Sequence, residues 1–163
     1  MHDLILKNVS FSYPGGFLAV DDINMEIKAG ENVAIVGQNG AGKTTTVKMM
    51  NGLLRPTKGD VLIGNMNTKD YTTAQVSRVV GYVFQNPDDQ IFHSTVESEV
   101  RFGPKMMKLE PEEENSRVEE ALKITGMDKY KEENPYNLPL STASSWFILA
   151  FISINTDVLI FDH

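Results

Sequence analysis

The segment Gly37-Gln38-Asn39-Gly40-Ala41-Gly42-Lys43-Thr44 constrains this chain more than any other. Before it stands a compact apolar run, Asn32 to Val36, which predicts a strand buried on both faces. After it, Lys43 to Asn51 reads as a helix stopped by Gly52 and Pro56. Glycines at 37, 40 and 42 permit the φ values by which successive backbone N–H groups curl around an anion. The helix start adds unpaired N–H groups and the positive end of its dipole. Gly, four residues, then Gly-Lys-Thr is the P-loop pattern. In it Lys43 reaches the β- and γ-phosphate oxygens and the Thr44 hydroxyl ligates Mg²⁺. With glycine at about 7% of residues, the four fixed positions occur by chance on the order of once in a few hundred such chains. The expected ligand is a nucleoside triphosphate, ATP, held with Mg²⁺ by residues 37–44 and by Thr45.

Composition narrows the alternatives. A chain of 163 residues suits one domain, or one carrying a small insertion. The absence of cysteine excludes a disulfide scaffold, a thiolate metal site and a cysteine nucleophile. A net charge of −7, with no cluster of Lys and Arg, argues against nucleic acid as a partner. Residues 1–7 lack the basic start and apolar core of a signal peptide. The longest apolar run, Trp146 to Ile152, is far short of the ~20 residues that span a bilayer. The chain is expected to be cytoplasmic, and any work at a membrane needs a partner to hold it there.

Alternation of apolar and polar residues predicts half-buried strands at Leu4 to Val9 and Ile23 to Ile27, with a turn at Pro14-Gly15-Gly16 between them. Further strands are predicted at Asp60 to Gly64 and Val79 to Phe84. Helices follow at Thr95 to Phe102 and Pro111 to Thr125, the second opening on Pro111 and three glutamates and ending before Gly126. Thr142 to Ile154 reads as a largely buried helix and Val158 to Phe161 as a strand ending at Asp162. The class is α/β, with a helical insertion at 87–156 in a core made of 1–86 and 157–163.

Several segments resemble the ATP-binding subunits of ABC transporters. Phe11-Ser12-Tyr13-Pro14 is similar to the stretch whose aromatic ring stacks on adenine, which makes Tyr13 the stacking candidate. Val83-Phe84-Gln85-Asn86-Pro87-Asp88-Asp89-Gln90-Ile91-Phe92 resembles the Q-loop of the energy-coupling-factor and cobalt-type branch, and residues 95–104 continue the likeness. The resemblance implies that Gln85 contacts Mg²⁺ and the attacking water, and that Asp162 holds Mg²⁺ at the end of a Walker B strand. It implies a P-loop core with an amino-terminal antiparallel β part. It also implies integral membrane transporter subunits as partners, and a second ABC ATPase subunit in a homo- or heterodimer. The protein would then lie on the cytoplasmic face of the cell membrane, energising uptake of a vitamin or metal ion.

The pattern is departed from in two places. His163 stands where the family places its general-base glutamate, so no catalytic residue is assigned. Leu138-Pro139-Leu140-Ser141 falls on the signature segment, where Pro139 lacks an N–H and Leu140 adds bulk. The sequence also reads as truncated after the Walker B aspartate, with the carboxyl-terminal part of the core missing. A later strand of the family lies between the strands of 32–36 and 158–161. Without it the two must pair directly, leave a gap or borrow a strand. Two functions follow: an ATPase subunit driving transport, or a degenerate module that binds Mg-ATP without efficient hydrolysis. A P-loop protein outside transport, such as a DNA-repair ATPase, fits the charge and the Q-loop context poorly.

Overall fold

The computed structural model describes residues 2–83, 91–138 and 155–162. Contacts divide the chain into two compact units, Met1–Tyr82 with Asp157–Asp162, and Val83–Thr156.

In the first unit, strands β1 (Leu4–Ser12), β2 (Leu18–Ile27), β3 (Lys58–Ile63) and β4 (Met66–Asn67) form an antiparallel sheet in the order β2-β1-β3-β4. The first two strands run longer than their alternation predicts, because β1 is paired along both edges. The alternation breaks at Asn8, which takes φ 49° where the register shifts, and its amide donates to Asn24 Oδ1 at 2.9 Å. Gly59 faces this irregularity with φ 73°; a Cβ there would sit 2.2 Å from the Asn8 carbonyl oxygen. The hairpin joining β1 to β2 closes through Tyr13 N to Phe17 O and Gly16 N to Tyr13 O, both 3.0 Å.

Helix α1 (Lys43–Met50) lays Val47, Met49 and Met50 into a core with Leu4, Leu6, Val9, Val61 and Ile63. Short helix α2 (Thr73–Val76) begins at Thr72 in a reciprocal capping box with Gln75. Strands β5 (Val80–Val83) and β6 (Val158–Phe161) form a separate two-stranded sheet, anchored by Asp157 N and Val158 N donating to Val79 O at 2.9 and 3.0 Å.

One expectation fails. Asn32 to Val36 is not a strand: it has no ladder, Val33 is 50% exposed and Val36 90% exposed. Its apolar residues suit a buried strand, but a strand exists only against neighbours, and no described strand lies along either edge. Of the three arrangements the sequence allows, direct pairing is absent among the described residues, since β6 pairs β5 instead.

In the second unit the described residues are mainly helical. Helix α3 (Val96–Met106) is capped by Thr95, whose hydroxyl accepts from Ser98 N, and it outlasts the predicted end at Phe102. Pro104 lacks an N–H, but it is buried and only two helical residues follow it. Helix α4 (Pro111–Thr125) has the predicted bounds, with Gly126 at φ 67° closing it. Val96, Val100, Val118, Ala121, Leu122 and Met127 make its core. Arg101 ties α3 to α4, donating to Glu97 at 2.6 Å, Glu114 at 2.9 Å and Asn115 at 2.6 Å. The predicted helix over Thr142 to Ile154 and the signature positions Pro139, Leu140 and Ser141 lie outside the described residues.

Candidate functional site

The site grows from the start of α1. Gly42 occupies its N-cap at φ 82° and ψ 9°, with no side-chain cap, so the first-turn N–H groups have no side chain of the cap residue over them. Glycine is required there twice over: the φ is left-handed, and a Cβ would lie 2.5 Å from the Ala19 carbonyl oxygen. Gly40 also takes a left-handed φ, 84°, and Ala41 N donates to Gln38 O at 3.1 Å. Gly37, Gln38, Asn39, Gly40 and Ala41 are exposed.

Lys43 folds back over this loop. Its ammonium donates to Gly37 O at 2.8 Å and Gln38 O at 2.9 Å, which places the positive charge inside the curve of the backbone. One residue on, the exposed Thr44 donates its hydroxyl to Asp162 Oδ1 at 3.0 Å. The two residues are 118 positions apart in sequence, and β6 delivers the carboxylate. The other carboxylate oxygen, Oδ2, accepts a 2.6 Å hydrogen bond from the Tyr82 phenol on β5. Burial first, then the hydrogen bond and charge of Asp162, push the Tyr82 pKa well above its ordinary value, so the phenol stays protonated and donates.

Tyr13, 40% exposed, starts the hairpin turn beside the same helix. Its hydroxyl lies 3.0 Å from Thr45 Oγ1, and its ring meets the Phe11 ring edge-on at a centroid distance of 4.9 Å. Thr45 is buried, as is Thr46, whose hydroxyl donates to Gly42 O at 2.9 Å. Thus Tyr13, the loop, Lys43, Thr44, Thr45 and Asp162 come together in one unit. Gln85 and His163 lie outside the described residues.

The family model described as ABC transporter matches residues 20–163. The chain belongs to the ABC transporter family. A putative ABC transporter ATP-binding protein of Pyrococcus furiosus is 44% identical over 98% of this chain and 55% of its own length. The energy-coupling factor transporter ATP-binding protein EcfA of Methanosarcina acetivorans is 42% identical over 97% of this chain and 58% of its own. Among solved structures, CbiO1 from Clostridium perfringens, part of the ABC transporter complex cbiONQ, superposes with a TM-score of 0.89 at 36% identity. That match covers 98% of this chain and 64% of CbiO1. The chain therefore spans a little over half the length of these two curated relatives. The ABC ATPase fold, with its P-loop core, antiparallel sheet and helices, is the one expected from sequence.

Sequence reasoning about this ABC-family chain missed Tyr82, which it read only as a residue of a strand. A signal was present: a phenol set between Val80-Gly81 and Val83 carries a polar tip into an apolar strand, and a buried tyrosine hydroxyl needs a partner.

Proposed function

We propose that this chain is the ATP-binding part of an ATPase subunit that energises an ABC-type transporter for uptake of a vitamin or metal ion. The observation that supports it best is the meeting of Lys43, Thr44 and Asp162 at the uncapped start of α1. The substrate class rests on the resemblance of residues 83–104 to the energy-coupling-factor and cobalt-type branch.

In this reading the α1 N–H groups and the loop amides take the phosphates, and the Lys43 ammonium turns from two carbonyls to the β/γ oxygens. The exposed Tyr13 ring stacks on adenine, and Gln85 joins the γ-phosphate side. Among the described residues no group of three His, Cys, Asp or Glu could cage a metal. A threonine hydroxyl beside one carboxylate suits Mg²⁺, which binds through few carboxylates and completes its shell with other oxygens, phosphate and water. Thr44, Asp162 and Gln85 would hold it, and when bound it would neutralise charge on the phosphate oxygens. Residues 1–86 and 157–163 serve as the nucleotide-binding core, and 87–156 as the helical subdomain. The partners are membrane-embedded transporter subunits and a second ATPase subunit, on the cytoplasmic face of the membrane.

A second reading, binding of Mg-ATP without efficient hydrolysis, is favoured by His163 in place of a glutamate and by Pro139-Leu140 in the signature segment. Titration of the full chain with a fluorescent ATP analogue, followed by phosphate-release kinetics, tests both. Lys43→Ala should weaken binding by about 10- to 100-fold, the loss expected for charged hydrogen bonds. Turnover near 1 s⁻¹ or faster, abolished in Lys43→Ala, supports the ATPase; binding without turnover supports the module. Unchanged binding in Lys43→Ala refutes the site.

A further inference from the structure

The Asp162 carboxylate is held from two sides, and only one of the holders belongs to the P-loop. Thr44 takes Oδ1 at 3.0 Å, and Tyr82 donates to Oδ2 at 2.6 Å. The terminal torsion of an aspartate is broad and roughly two-fold, so one contact leaves the carboxylate plane free to turn. A second fixes it. Tyr82 suits that task because it cannot wander: it is 6% exposed, packed with Val76, Val80 and Ile160. Its strand, β5, is the neighbour of β6, which carries Asp162 at its end. A 2.6 Å bond from a hydroxyl to a carboxylate lies in the short, strong range for charged acceptors.

We propose that Tyr82 is a positioning residue for the Mg²⁺ site: by holding Oδ2 of Asp162 it keeps Oδ1 turned towards Thr44. The proposal rests on the nucleotide-binding reading above and adds to it a residue that touches neither nucleotide nor metal. Partners one step behind a metal ligand typically contribute 10- to 100-fold to metal affinity, and the phenol here supplies one such bond.

The test uses the full chain as wild type, Tyr82→Phe, Asp162→Asn and the double variant. Each is titrated with a fluorescent ATP analogue in EDTA, then with Mg²⁺ at fixed analogue. Tyr82→Phe should need about tenfold more Mg²⁺ to reach half-maximal tightening, with its affinity in EDTA unchanged. On the Asp162→Asn background the same substitution should add nothing, because the pair acts as one unit. An unchanged Mg²⁺ requirement overturns the proposal. So does an equal loss of affinity in EDTA, which would mark Tyr82 as merely structural, or a full effect that persists on Asp162→Asn. A wild type that binds no analogue overturns the nucleotide reading and this proposal together. A wild type that binds and responds to Mg²⁺, beside a Tyr82→Phe variant that responds identically, overturns this proposal alone.

Discussion

Strand β1 and the segment Asn32 to Val36 are both rich in β-branched and aliphatic residues, yet they have opposite fates. β1 is flanked by β2 and β3, and its Leu4, Leu6 and Val9 are almost wholly buried. The segment at 32–36 has no ladder, and Val36 at its end is 90% exposed. The difference is not composition. A helix satisfies its own backbone, so α1 forms immediately after the loop, whereas a strand takes its hydrogen bonds from other parts of the chain. An apolar run therefore specifies a strand only jointly with the segments that flank it.

The largest effect that could break this comparison is in amide exchange. Amides of β1 that pair with β2 or β3 should exchange at least ~10³-fold more slowly than those of residues 33–36, the factor that corresponds to roughly 4 kcal/mol of opening free energy. Mass spectrometry of peptic fragments would report it. Equal protection would mean that 32–36 finds a partner in solution.

Glycine substitutions sharpen the contrast at smaller scale. Gly59, at φ 73°, has the Asn8 carbonyl where a Cβ would go, so Gly59→Ala combines backbone strain with a clash inside the paired sheet. A loss of about 2–4 kcal/mol is expected in urea unfolding. Gly30, at φ 87° just before the unpaired segment, has nothing within 4 Å of the same position. Gly30→Ala should carry only the left-handed penalty, about 1–2 kcal/mol. Equal losses at the two sites would deny that Gly59 is hemmed in.

What the sequence made legible follows the same division. The loop and α1 were readable because glycines, a lysine and a helix start all act within a few residues of one another. Helix α4 was readable to its ends through Pro111 and Gly126. Helix α2 escaped notice although Thr72 and Gln75 spell a capping box, since a single turn offers no periodicity to find. Asp162 was placed only through family likeness, because its bond to Thr44 spans 118 residues and no local pattern encodes that distance. Tyr82 was missed for a related reason: its bond to Asp162 spans 80 residues and its strand reads as apolar. Pairing across the chain is the common element in what was hidden, for strands and site alike.

The smallest effect probes burial by making one substitution in the paired sheet and in the unpaired segment. Val61 on β3 is fully buried, and Val36 is almost fully exposed. Val→Thr keeps the shape and replaces a methyl by a hydroxyl. At Val61 that hydroxyl leaves water without an assured partner, at a cost of about 1–3 kcal/mol. At Val36 it stays solvated, and the expected change is within ±0.5 kcal/mol. Urea midpoints of the two variants against wild type would measure the gap. If Val36→Thr costs as much as Val61→Thr, residue 36 is buried in solution, and the lack of described neighbours for 32–36 no longer accounts for its missing ladder. If the gap holds, the two valines differ only in what surrounds them, which is the sense in which an apolar run is not yet a strand.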